Sequence, residues 1–113
     1  MHEMSVAMSI VEIAVSRLQE AGGTKILKVK VTVGELSGVS ADSVLFCYDA
    51  CARGTPAEGS QLQVDRSVAK AICRECAVEF RPEPPLAVCP ECGAFGGKII
   101  NGEELFVDEI EVE

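Results

Sequence analysis

KILKVKVTV, residues 25–33, decides the architecture. Leu27, Val29, Val31 and Val33 alternate with Lys28, Lys30 and Thr32, the period of two expected of a strand with one face buried and one in water. Such a strand needs a covering layer. Upstream, Met4, Ala7, Met8, Val11, Val15 and Leu18 recur at helical spacing, with Ser5, Ser9, Glu12, Ser16 and Gln19 opposite, which predicts an amphipathic helix stopped by Gly22 and Gly23.

Downstream, GELSGVSADSV (residues 34–44) turns the chain, with Ser40 as N-cap of a second helix carrying Val44, Leu45, Tyr48 and Ala52 towards Gly54. After the loop TPAEG (residues 55–59), Leu62 and Val64 alternate with Gln61, Gln63 and Asp65 as a second strand. A last strand over residues 105–112 places Phe106, Ile110 and Val112 on one face. The expected fold is therefore α+β, two helices packed on a three-stranded sheet.

Residues 71–97 differ in character, with four cysteines, a PEPP run and three glycines, and have too few apolar residues to bury a core of their own. Because strand-like sequence follows, they read as an insertion. The expected division is a discontinuous main domain of residues 1–68 and 98–113, with a small four-cysteine, zinc-ribbon-like domain at 69–97.

The chain has 113 residues, enough for one modest domain with an appendage. Eighteen acidic against ten basic residues give a net charge of −8, which repels phosphate backbones and anionic membranes and suits cationic partners, metal ions included. Aromatic residues are only 4% of the chain, leaving few platforms for stacking nucleic-acid bases. The start has no signal-peptide pattern and no stretch approaches a membrane span of about 20 apolar residues, so the expectation is a cytoplasmic chain. There, cysteines serve as ligands or buried thiols more often than as disulfides.

Cys73-x2-Cys76 and Cys89-x2-Cys92 are separated by residues 77–88. This is the ligand arithmetic of a four-cysteine Zn(II) site, in which two tight turns aim four thiolates at one ion about 2.3 Å away. Four protein ligands leave no open position, so the metal is expected to be structural. The competing readings are redox-active CxxC pairs and a rubredoxin-like iron centre. Cys47 and Cys51, four apart on the second helix, have a spacing that can chelate a metal, but they share a stripe with Val44 and read as core packing.

The only histidine, His2, lies beside the chain start. The Met1 amine, a deprotonated amide and the imidazole can form fused chelate rings around one ion, with Glu3 adding an amide or a carboxylate. Such a nitrogen-rich, tetragonal set suits Ni(II) or Cu(II) rather than zinc, and by affinity order alone copper would win. The competing reading is an exposed terminal histidine without a role.

MHEMSVAMSIVEIA, GELSGV, GTPAEG, CREC, CPECG and EELFVDEIEVE, in that order, resemble the hydrogenase-maturation nickel metallochaperones of the HypA/HybF type across essentially the whole chain. The resemblance implies nickel at His2 and Glu3 and structural zinc at Cys73, Cys76, Cys89 and Cys92. It also implies an acidic residue near the nickel, for which Asp42 is the nearest match, with helix capping as its other reading. Further implied are cooperation with the GTPase HypB and nickel delivery to the large subunit of a [NiFe]-hydrogenase, or for urease. No catalytic set is apparent, so no enzyme is expected. The rival reading is a zinc-ribbon scaffold without nickel transfer.

Overall fold

A computed structural model describes residues 3–83 and 87–113. In chain order the elements are α1 (Glu3–Ala21), β1 (Ile26–Gly34), α2 (Ala41–Ala52), β2 (Gln61–Ser67), β3 (Lys70–Ile72), β4 (Glu79–Phe80), β5 (Lys98–Asn101) and β6 (Leu105–Val112).

The main sheet has the order β2-β1-β6, with β1 parallel to β2 and antiparallel to β6. A parallel neighbour cannot be reached by a hairpin, and α2 is the crossover between β1 and β2. Ser40 caps α2 as expected, its Oγ accepting the Ser43 N–H at 3.3 Å. Both helices cover one face of the sheet. Leu18, Ile26, Val29, Val31, Val44 and Tyr48 are fully enclosed between the layers, each contributing roughly 1.5–3 kcal/mol of burial. The Tyr48 hydroxyl meets Ser60 Oγ at 2.6 Å, which satisfies both buried groups. The other sheet face is polar, with Lys30 between Asp65 and Glu109 and Thr32 Oγ1 donating to Asp108 at 2.7 Å.

The two-layer α+β fold is as expected, but three details of its core differ. At the start of β1, the pairing steps from Ile26–Val112 to Lys28–Glu111. This bulge puts Ile26 in the core and leaves Leu27 46% exposed. A second bulge, at Asp108, skips from Lys30–Glu109 to Val31–Val107, so Val107 is buried and Phe106, opposite Thr32, is half exposed. On α1 the buried stripe is Val6, Ala7, Ile10, Val11, Ala14 and Leu18, while Met4 and Met8 face out. α1 is apolar on several sides, and the stripe that wins is the one that fits α2 and β6.

The cysteine-rich segment forms a second sheet, order β4-β3-β5, with all pairs antiparallel. Residues 98–101, expected in the main domain, are its third strand and pair with β3. Among the described residues its buried core is Ala71, Phe80 and the two cysteines Cys73 and Cys89, with Val78, Ala87, Ala94 and Ile99 packed against it, and a Cβ on Gly97 would already press on Phe80.

A knot of polar bonds joins the two sheets. Gly34 N–H donates to Glu104 O and Leu36 N–H to Gly102 O, both at 2.6 Å, and Glu35 N–H donates to Ser67 O at 2.9 Å. The Glu35 carboxylate accepts the Ala69 N–H at 2.8 Å and the Arg81 guanidinium at 2.6 and 2.9 Å. Asn101 Nδ2 donates to Ser67 Oγ and to Val68 O, each at 2.8 Å.

Glu104 accepts from the Ser67 hydroxyl and from the Gly102 and Glu103 N–H groups. The Ser67 bond, reinforced by these amides, holds its carboxyl below the ordinary range. A carboxyl lowered in the folded state stabilises it fully above about pH 4.3, the ordinary Glu value, and loses that contribution as pH falls through the lower folded value. Glu104→Gln is therefore expected to flatten the acid limb of a plot of urea midpoint against pH, and an unchanged limb would deny Glu104 this role.

Candidate metal centre

The four sulfurs come together as their spacing requires. Cys73, Cys76, Cys89 and Cys92 place their Sγ atoms within 4.8 Å of one another, Cys73 to Cys92 at 3.5 Å and Cys76 to Cys89 at 3.7 Å. Thiolates about 2.3 Å from a tetrahedral ion stand roughly 3.8 Å apart, so the donor set fits one such ion. Cys73 and Cys89 are buried, while Cys76 and Cys92 face solvent. An ion held here is enclosed by protein ligands on all four sides.

Each CxxC pair is folded by the same turn. Cys73 N–H donates to Val78 O and Ala77 N–H to Cys73 O; Cys89 N–H donates to Ala94 O and Gly93 N–H to Cys89 O, all at 2.9–3.0 Å. The first turn also aims the Glu75 and Cys76 amides at Cys73 Sγ, at 3.4 and 3.5 Å. These turns end in left-handed backbone, at Gly93 (φ 75°) and at Ala77 (φ 62°). Glycine takes that conformation freely, whereas a Cβ costs roughly 1–2 kcal/mol. Ala77→Gly is expected to stabilise the module by about 1 kcal/mol of the strain, read as slower loss of metal to a chelator, and faster loss would refute the equivalence of the two turns.

Without a cation the crowded sulfurs share their protons unevenly. The Cys76 amide, opposed by burial and aided by the Glu75 amide, brings the Cys73 thiol down to about 6. At Cys92 the Ala94 amide lowers the thiol, but hydrogen bonding to Cys73, burial and contacts to Cys89 and Cys76 outweigh it and push it up to about 12. Binding an ion must displace the remaining protons, so acid favours release.

The expected nickel ligands Met1 and His2 lie outside the described residues. Glu3 opens α1 and lines an open cavity with Met4, Asp42, Ser43, Phe46 and Cys47. Asp42 therefore faces the same space as Glu3. It lies in the first turn of α2, where Ser40 rather than Asp42 is the cap, and it pairs with Arg66 at 3.1 Å. Cys47 and Cys51 are half-buried against the main core, as the packing reading expects. Reading the sequence missed Glu35, which ties the two sheets together. Its one signal was a carboxylate set directly after the glycine that ends the central strand.

Among the described residues no helix is long and apolar enough to cross a membrane. A family model described as hydrogenase/urease nickel incorporation, metallochaperone, HypA matches residues 1–112. Curated relatives called hydrogenase maturation factor HypA include one from Geotalea uraniireducens, 44% identical over 113 residues, and one from Geobacter sulfurreducens, 45% identical over 113 residues; both alignments cover 100% of each chain. Among solved structures, the nickel metallochaperone HypA from Helicobacter pylori superposes with a TM-score of 0.69 at 22% identity, covering 99% of this chain and 97% of that one. A second HypA structure gives 0.72 at 21% identity, covering 99% and 96%. These two likenesses show the fold.

Proposed function

Because the chain belongs to the HypA family of hydrogenase/urease nickel-incorporation metallochaperones, we propose that it carries Ni(II) on its N-terminus and holds structural Zn(II) in its cysteine module. The family is one of metal carriers, not enzymes. The observation that carries this reading is the closed four-thiol cluster. It suits one tetrahedral ion with no position left for cargo, and the chain's single imidazole, His2, is not among its four ligands.

In this reading the Met1 amine, the intervening amide and the His2 imidazole bind nickel, with Glu3 completing the set. Every one of these donors competes with protons, which suits a cargo that must be given up. Cys73, Cys76, Cys89 and Cys92 bind zinc, in keeping with the affinity of thiolate tetrahedra for that ion. The main sheet with its helices is the nickel unit. The cysteine segment, with β5 added by its pairing, is the zinc unit. Nickel passes in the cytoplasm, with the GTPase HypB, to the large subunit of a [NiFe]-hydrogenase.

The test is metal content after nickel loading of the wild-type chain, of His2→Ala, and of a chain lengthened by a few residues before Met1. Zinc is expected in all three and nickel only in the first. Nickel retained in both variants would overturn the assignment.

A further inference from the structure

A second group of sulfurs lies where α2 crosses the start of α1, apart from the four cysteines above. The Cys51 thiol points at Met4 Sδ, 3.2 Å away, and also faces the Met4 carbonyl at 3.8 Å. Cys47 stands one helical turn before Cys51 on α2, so the two thiols share a helix face. It lines the same open cavity as Met4, with Glu3 and Asp42 also at the wall. Both cysteines are free and half-buried, and Met4 is 48% exposed. The Cys51 and Met4 sulfurs thus touch between the two helices, Cys47 stands one turn before Cys51, and Met4 and Cys47 line a solvent-accessible cavity with two carboxylates on its wall.

We propose that Met4, Cys47 and Cys51 form a second metal site, built of sulfur and specific for Cu(I). Thiolate and thioether ligands are soft and select Cu(I), whereas a thioether is a poor partner for magnesium, calcium or manganese. Three ligands suffice, because Cu(I) needs no tetrahedron. On binding, the two thiols release their protons to water. Two copper–thiolate bonds and one dative copper–thioether bond form, and copper remains Cu(I). The carboxylates of Glu3 and Asp42 give the cavity a negative lining that favours entry of a cation.

The test uses the full, zinc-loaded chain without oxygen, challenged with Cu(I) held by a bicinchoninate chelator. Copper captured and zinc released are both measured. Wild type is expected to take one equivalent of copper and keep its zinc. Cys47→Ser and Cys51→Ser should each weaken capture by more than the roughly 10–100-fold that loss of an outer partner costs. Met4→Leu removes one sulfur at nearly constant volume from a half-exposed position, so it should weaken capture less while leaving the fold intact.

His2→Ala should leave capture unchanged, which separates this proposal from the nickel reading. Four results would overturn it: no capture by wild type, capture unchanged in the double cysteine variant, copper matched by released zinc, or capture lost in His2→Ala. The third would place copper in the four-cysteine cluster, and the fourth at the terminal chelate.

Discussion

Serine at Cys89 is expected to strip the metal from the cysteine module and unfold it, while the main sheet survives. Cys89 is buried at 2% exposure beside Ala71, Phe80 and Cys73. Serine there supplies a harder, neutral donor in place of a thiolate and leaves three ligands for an ion that takes four. The apolar contacts of the module are too few to replace the ion, and structural zinc sites of this type contribute about 10–16 kcal/mol to folding at neutral pH. Among the described residues, the main core shares no buried residue with the module's core.

Two measurements check this outcome. Metal content should fall to a small fraction of that of the wild-type chain. In hydrogen exchange, the amides of β3 should lose protection while those of β1 keep theirs. Full zinc with native protection in Cys89→Ser would contradict the four-thiolate site, and loss of protection in β1 as well would contradict the independence of the two cores.

Gly34→Ala should be the most damaging single methyl group in the chain's central strand. A Cβ at Gly34 would stand 2.1 Å from the Gly102 carbonyl oxygen, 2.3 Å from its carbon and 2.7 Å from the Glu104 nitrogen. All three are backbone atoms, so no side chain can swing away. Relief requires parting β1 from the turn into β6, which breaks the Gly34 and Leu36 bonds to Glu104 and Gly102. Overpacking ordinarily costs about 1–3 kcal/mol, occasionally more, and loss of two backbone bonds sets this case at about 3 kcal/mol or above.

Gly38→Ala is the control. Gly38 has φ 78° with nothing near its missing Cβ, so only backbone strain of roughly 1–2 kcal/mol applies. Urea unfolding of the zinc-loaded chains should rank Gly34→Ala well below Gly38→Ala. Equal midpoints would show that the junction can open without cost.

The parts of the fold legible from the sequence are those set by local rules. The alternation of residues 28–33 marked the central strand, Ser40 marked the start of α2, and the two CxxC pairs marked the four-thiol cluster. What escaped depended on partners distant in the chain. Leu27 and Phe106 continue their strands' alternation on paper, but bulges opposite Val112 and at Asp108 hand their core places to Ile26 and Val107. Met4 and Met8 fit a helical stripe as well as Val6 and Ile10 do, and only the position of α2 and β6 separates them.

Strands β3, β4 and β5 have two to four residues, too short to show periodicity. Their order follows from the turns at the cysteines instead. Glu35 has the same explanation, since its bonds run to Ala69 and Arg81, far along the chain. The metal cluster, by contrast, was readable because each of its turns is local and only the meeting of the two turns is not.

In the proposed carrier, nickel is held by nitrogens at the chain's start, separate from the thiolate cluster. The most direct measurement is the electronic spectrum of the zinc-loaded chain after one equivalent of Ni(II). A diamagnetic, square-planar spectrum that disappears in His2→Ala is the predicted result. An octahedral, oxygen-rich spectrum, or one unchanged without His2, would contradict it.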